Sequence, residues 1–230
     1  MYPSFIVEYG VAPHHLSKQV FVGIVKWLRE TRVEAKHTGR KLEADALKIV
    51  INRIYGALND AMDYLYDPEC TYIVTINLQL LLCGLIEAFE LNNFDVLSAN
   101  TDGLLVRLPL NRQGVFKHIC NEWSAYSKLD LETEKFEKYC RSAVNDYIAV
   151  GYGFYDALQE YNRCGVWIDS KGNTYTTRQA IEDKFIKFKG YFLQDPEYNK
   201  GFVYPVVKKA LKEYFLYGVD ITEFIRNYIN

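Results

Sequence analysis

Lys48-Ile49-Val50-Ile51-Asn52-Arg53-Ile54-Tyr55-Gly56 carries two patterns at once. Lys48, Asn52 and Tyr55 stand at i, i+4 and i+7, so a helix projects a cation, an amide and an aromatic ring from one face. Leu47, Val50, Ile51, Ile54 and Leu58 form a separate apolar face, and the segment from about Leu42 to Leu58 therefore reads as an amphipathic helix. Upstream, Val20, Phe21, Ile24, Val25 and Leu28 repeat that spacing in a helix from about Val20 to Lys36 whose polar side is basic. His37-Thr38-Gly39 breaks the pattern between them, because glycine is the usual helix stop, and the two helices read as a helical hairpin. Arg32 and Lys36 are four apart on the first helix, so an antiparallel pairing can aim Arg32, Lys36 and Lys48 at one point. Three converging cations suit a triphosphate. Each cation alone is equally at home on a solvated helix face.

Beyond the hairpin, residues 59–71 read as an irregular connection containing Pro68. A long apolar helix from roughly Val74 to Leu91 follows and is expected to be mostly buried. Phe94 to Ala99 and Leu104 to Leu108 read as a β-hairpin with Asn100-Thr101-Asp102-Gly103 at its tip. A tight turn there can hold Asp102 against a divalent cation, and Mg²⁺ favours one or two carboxylates plus substrate phosphates. Asn and Asp also favour turns for local reasons. A helix at about Arg112 to Ser127, β-rich sequence from Leu129 to Tyr191 and a helical tail from Tyr204 to Asn230 complete the chain, without internal repeats. Strands broken by helices, with a helical hairpin inserted early, indicate the α+β class.

The chain has 230 residues, 49% of them hydrophobic, which is enough to bury a core in one or two globular units. Its formal charge of -2 excludes a globally basic nucleic-acid binder, so any basic surface is local. Residues 1–56 hold nine Lys or Arg against five Asp or Glu, leaving the remainder net acidic. The five cysteines, Cys70, Cys83, Cys120, Cys140 and Cys164, show no C-x-x-C and no metal-ligand spacing to a histidine. They read as reduced, buried thiols of a cytosolic protein. The longest apolar run, residues 80–86, falls short of a membrane span, and no secretory signal is expected, which points to the cytoplasm.

The stretch 48–56 resembles the fingers motif K-x-x-x-N-S-x-Y-G of family B DNA polymerases, and Asn100-Thr101-Asp102-Gly103 resembles their palm motif D-T-D-S. Met1-Tyr2-Pro3-Ser4 is similar to the end of their D-x-x-S-L-Y-P-S, Arg32-x-x-x-Lys36 falls where the family keeps R-x-x-x-K, and Lys189-Gly190 is similar to a late palm K-G. The order of these motifs is the family's order. The resemblance implies an antiparallel palm sheet with packed helices: palm at 1–19 and 59–200, fingers at 20–58, and the start of a thumb or a helical tail at 201–230. It implies that Asp102, with Asn100, holds two catalytic Mg²⁺ ions. It implies that Arg32, Lys36 and Lys48 bind the triphosphate, with Lys48 a candidate acid toward the leaving pyrophosphate, and that Asn52 contacts the nucleotide. Tyr2 would stack under the deoxyribose, with Tyr55 packed beside it near the nascent pair. Gly56, Tyr147 and Lys189 are the candidate contacts to primer-template DNA.

Several positions depart from the pattern. Asn100 replaces an Asp, Gly103 a Ser and Arg53 the Ser after Asn52, which puts metal affinity in question. Val144-Asn145-Asp146-Tyr147 stands where relatives carry K-K-R-Y, so DNA binding is expected to be weak and salt-sensitive. Two other readings remain open on the sequence: a catalytically silent polymerase-like module that binds nucleic acid or a partner, and an α+β domain unrelated to nucleic acid. The first Asp of D-x-x-S-L-Y-P-S falls upstream of Met1, so the other partners expected are the remaining polymerase chain, with its exonuclease domain and thumb. Two-metal transfer needs carboxylates around both ions, and Asp102 is the one anion that the matched motifs supply. The expected outcome of primer extension with Mg²⁺ or Mn²⁺ is therefore no incorporation by this chain, and incorporation by an extended chain that restores D-x-x-S. Equal rates from the two would refute the role of the missing Asp.

Overall fold

A computed structural model of the chain describes residues 1–100, 103–143, 145–190 and 205–229. Helices and small antiparallel sheets are mixed along it, and it divides into two compact units, Met1–Leu131 and Glu132–Asn230.

Unit 1 begins with α1 (Tyr2–Tyr9), started by a proline in its first turn and stopped by Gly10 in the left-handed region at φ 62. A side chain at Gly10 would also press its Cβ within 2.6 Å of the Lys18 Cε. Next come α2 (Lys18–His37) and α3 (Lys41–Ala57), which pack together as the helical hairpin that the periodicity predicts. Ala35 and Ala44, both buried, let the helices approach near the turn. Arg40 staples that turn, donating to Glu34 of α2 at 3.2 Å and to Glu43 of α3 at 2.8 Å.

The third long helix, α4 (Pro68–Leu91), starts earlier than its apolar pattern suggests. Pro68, read from sequence as part of an irregular connection, is the first helical residue, where its missing N–H costs nothing. Asp67 caps the helix by accepting the Cys70 N–H at 3.1 Å. The same carboxylate accepts the His14 backbone N–H at 2.8 Å and lies 2.8 Å from His14 Nδ1, pinning the connection after α1 to the start of α4. Burial alone would raise the Asp67 pKa, but the hydrogen bonds from His14 and Cys70 reverse this and hold it below the ordinary carboxylate range. The bond and charge of Asp67 raise the His14 pKa, and burial pushes the Cys70 thiol up to about 11.

α4 is not mostly buried, contrary to the expectation from its composition. Cys70, Val74, Leu78, Leu82, Leu85 and Phe89 form a buried stripe, while Tyr72, Ile76 and Leu80 are 65%, 50% and 62% exposed. By length and composition α4 could cross a membrane, which corrects the shorter estimate from residues 80–86. Its stripe joins a core with Phe5, Ile6, Phe21, Val25, Leu58, Ile119 and Trp123. The hairpin of β1 (Val96–Ala99) and β2 (Leu104–Val106) and helix α5 (Gln113–Ser127) complete the unit, and Trp123 Nε1 donates to the Leu81 carbonyl of α4 at 2.8 Å.

Unit 2 is built on an antiparallel sheet in the order β3 (Phe136–Ala143), β4 (Asp146–Gly151), β7 (Ile186–Lys189). Helices α6 (Phe154–Cys164) and α7 (Arg178–Phe185), read from sequence as β-rich, flank the short pair β5 (Trp167–Ile168) and β6 (Thr174–Tyr175). Each helix is brief and its start is set locally: Thr177 caps α7 by accepting from Ala180 N at 3.2 Å. The last two helices, α8 (Pro205–Tyr217) and α9 (Ile221–Ile229), match the helical period of the tail. Ile148, Val150, Phe154, Ile181, Ile186 and Leu216 make the core. The cysteines depart from expectation: Cys70 is buried, Cys120 half-buried, and Cys83, Cys140 and Cys164 are exposed.

Buried Glu182 ties α7 to α8. Its carboxylate takes Arg178 Nε at 3.0 Å, Tyr217 Oη at 2.5 Å and the Lys212 ammonium. Burial would raise its pKa, yet these partners outweigh burial and lower it. A depressed folded-state pKa contributes stability above the unfolded value that is lost as pH falls through the folded value. Glu182→Ala, which removes the carboxylate from the largely buried Lys212 while Arg178 keeps Glu213, is expected to cost about 3 kcal/mol by urea denaturation at neutral pH. Glu182→Gln is expected to flatten the acid side of the stability-pH curve. An unchanged acid slope would remove Glu182 from that account.

Candidate functional site

The contact on which the candidate site is built joins the two ends of the sequence pattern. Tyr2, at the start of α1, and Tyr55, in the last turn of α3, stack with ring centroids 4.0 Å apart and planes 4° from parallel. Tyr55 is oriented further by its hydroxyl, 2.7 Å from the Thr75 Oγ1 of α4. Thr75 spends its own proton on the Thr71 carbonyl at 2.7 Å, so Tyr55 is the donor. Two rings from distant segments are thus held against one helix by a directed bond, which fixes both orientation and separation.

From Tyr55 the strip on α3 continues through Asn52 to Lys48, about 10 Å along the axis at 1.5 Å per residue. Asn52 and Lys48 are exposed. On α2, Lys36 is exposed and Arg32 half-buried, with the Arg32 Nε buried and without a hydrogen-bond partner among the described residues. Buried polar atoms are ordinarily satisfied, so this donor is an exception in the hairpin. Neighbouring cations behave differently. Arg29 reaches Glu8 and Asp130, Arg40 reaches Glu34 and Glu43, and Lys26 reaches Glu30. Arg32, Lys36 and Lys48 take no carboxylate partner among the described residues.

Arg53, which replaces the serine of the motif, has a structural use. Its guanidinium donates to Asp60 and Asp63, each at 2.9 Å, and ties the end of α3 to the following loop. At Gly56 an added Cβ would meet the Arg53 guanidinium alone, at 4.0 Å, so packing within the chain does not require glycine there. Across the β1–β2 hairpin, Asn100 N donates to the Gly103 carbonyl at 3.0 Å, and Ala99 pairs with Leu104. Asp102 lies outside the described residues.

The remaining candidates belong to unit 2. Tyr147 on β4 is paired in register with Lys189 on β7 and with Arg141 on β3, so the three share one face of the sheet. The next row on that face is Tyr139, Ala149 and Lys187. Tyr139 and Tyr147 stack at 5.0 Å, and Arg141, Lys187 and Lys189 are exposed. The opposite face, with Ile148, Val150, Ile186 and Phe188, is packed into the core. Lys189 is followed by a position where only glycine fits. Gly190 has φ 107, and a Cβ would fall 1.8 Å from the Asp146 Oδ1 and 2.5 Å from its Cα. Sequence reading missed Arg141 and Lys187; the signal available was the Tyr139, Arg141 alternation at i and i+2, which becomes legible once the strand register is known.

No family model matches the chain, and no curated protein matches it. Among solved structures it is similar to the family B DNA polymerase from the hyperthermophilic archaeon Pyrobaculum calidifontis, at 18% identity and a TM-score of 0.49. The likeness covers 66% of this chain and 25% of that one, so the chain spans about a quarter of that polymerase's length.

Stacked aromatic pairs couple by about 0.5–1.5 kcal/mol beyond their buried area. A double-mutant cycle of Tyr2→Leu and Tyr55→Leu, read by urea denaturation, is expected to return a coupling in that range. Additive effects would mean that the rings do not support each other in solution.

Proposed function

We propose that the chain is the palm and fingers part of a DNA-templated DNA polymerase of family B. In this reading α2 and α3 are the fingers, and α1, α4, the β1–β2 hairpin, α5 and the sheet of unit 2 belong to the palm. The observation that carries the reading is the parallel stack of Tyr2 on Tyr55. Two motifs recognised separately, at positions 2 and 55, meet ring to ring, so that Tyr55 backs the ring on which a nucleoside sugar would rest. Arg32, Lys36 and Lys48 add to it, since among the described residues none of them takes a carboxylate partner, and a polyanion would supply one.

The incoming deoxynucleotide would rest its sugar on Tyr2, leaving no room for a 2′-hydroxyl, with Tyr55 holding that ring in place. Arg32 and Lys36 would clamp the phosphates from α2, and Arg32's fork suits two oxygens at once. Lys48 would neutralise the leaving pyrophosphate and pass it a proton, while Asn52 would hold the phosphate and sugar region. Asp102, beside the neutral Asn100, would hold Mg²⁺, which supplies charge compensation at the reacting phosphate. Primer-template DNA would run over the open face of the sheet in unit 2. The basic residues expected at 144–146 are Val144, Asn145 and Asp146, but Arg141 and Lys189 flank Tyr147 from the neighbouring strands and can meet phosphates in their stead.

One observation favours a second reading. With Asn100 in place of a carboxylate, the tip of the β-hairpin has less charge to hold two divalent ions. A catalytically silent polymerase-like module that binds nucleic acid or a partner would carry this substitution without loss. Nucleotide incorporation by the extended chain separates the two readings.

Binding of a deoxynucleoside triphosphate in Mg²⁺, followed by calorimetry, tests the polymerase reading. Lys48→Ala and Arg32→Ala are each expected to weaken it by about tenfold or more, as charge-assisted bonds contribute roughly 1.5–3 kcal/mol each. Lys41→Ala, an exposed lysine at the start of α3, serves as the control and leaves affinity unchanged. If the Lys48 and Lys41 variants bind alike, the hairpin is an ordinary solvated one and the polymerase reading falls.

A further inference from the structure

Away from the candidate site, three side chains of unit 1 bring different donor atoms to one place. The ligand atoms of His14, Asp67 and Cys70 all lie within 4.8 Å of one another. Asp67 and Cys70 are buried, and His14 stands at the surface. The Cys70 thiol donates to the Ala12 carbonyl at 3.0 Å, and the Glu69 carboxylate stands 3.8 Å from His14 Nε2, the ring nitrogen that does not meet Asp67. We propose that His14, Asp67 and Cys70 form a Zn²⁺ site that fastens the connection after α1 to the first turn of α4.

The chemistry of the donor set selects the ion. A nitrogen, a carboxylate oxygen and a sulfur together suit Zn²⁺, which binds all three types at about 2.0–2.3 Å in tetrahedral geometry. Mg²⁺ and Ca²⁺ take oxygen ligands, so the ions of the proposed polymerase site would not compete here. The atoms need to close in by roughly 1 Å to reach the ligand separations of a tetrahedron, and His14, on an irregular segment, has the freedom to do so.

The charges balance: the thiolate and the Asp67 carboxylate offset the two positive charges, and His14 binds as neutral imidazole. The Cys70 proton leaves to solvent, the His14 proton moves from Nδ1 to Nε2 so that the ring stays neutral, and the S–H hydrogen bond to Ala12 is exchanged for a Zn–S bond. A water takes the fourth position. Asp67 would keep the Cys70 N–H on its other oxygen, so the helix cap survives metal binding.

Cobalt substitution tests the site on the full chain. Co²⁺ titrated into the reduced, chelator-treated protein is expected to bind one equivalent with a thiolate charge-transfer band, and Zn²⁺ is expected to displace it and raise the melting temperature. Cys70→Ser is expected to abolish the band. Losing even a group that orients a ligand costs on the order of tenfold to hundredfold in metal affinity, so His14→Ala, an exposed position, is expected to weaken binding at least that far. No band in the unsubstituted protein overturns the proposal. So does a band that persists in Cys70→Ser, since it would arise from the exposed Cys83, Cys140 or Cys164. None of these readouts depends on polymerase activity.

Discussion

The burial of one stripe of α4 is the constraint on which unit 1 depends. A helix of 24 residues runs about 36 Å, and a single face of it, from Cys70 to Phe89, meets α1, α5 and the β-hairpin in one core. Burying large apolar side chains contributes about 1.5–3 kcal/mol each, so this stripe outweighs any single polar contact in the unit. Because α4 is anchored at one end by the Asp67 cap and along its length by that stripe, the elements packed on it inherit fixed positions.

The candidate site is a consequence of this arrangement. α1 rests on α4 through Phe5 and Ile6, and that places its first residues beside the end of α3. Tyr55 then reaches α4 through Thr75 while its face takes Tyr2. The stack joins one ring from the N-terminal helix to one from the hairpin, and α1 packs on α2, α3 and α4 alike.

Electrostatics divides the cations of the hairpin into two groups with different uses. Arg29, Arg40 and Arg53 are engaged with carboxylates and hold the hairpin to its turn and its neighbours. Exposed ion pairs of this kind contribute about 0–1 kcal/mol each, so their value lies more in orientation than in stability. Among the described residues Arg32, Lys36 and Lys48 take no such partner, and the half-buried Arg32 bears the cost of an unsatisfied donor. Unit 2 places Arg141, Lys187 and Lys189 on the sheet face opposite its core, where Lys187 is paired with Glu134.

Much of the fold was legible in the sequence, because periodicity reports directly on a single element. The α2–α3 hairpin, the β1–β2 hairpin, α5 and the helical tail follow from spacing alone. The α+β class follows from their mixture. Two helices of unit 2 were not legible, since eight to eleven residues give few turns over which a helical period can be told from a strand's. Pro68 misled for a related reason: a proline that breaks a helix in its interior starts one at its first position. The candidate residues themselves could be named from the motif order at 2, 32, 36, 48, 52 and 55. What only the tertiary structure decided is which of them touch and which cations remain without partners. It also decided that Arg141 and Lys189 flank Tyr147, that Gly190 lies against Asp146, and that His14, Asp67 and Cys70 converge. These are contacts between segments far apart in the chain, and they are set by how buried faces pack, a quantity that no local pattern of residues encodes.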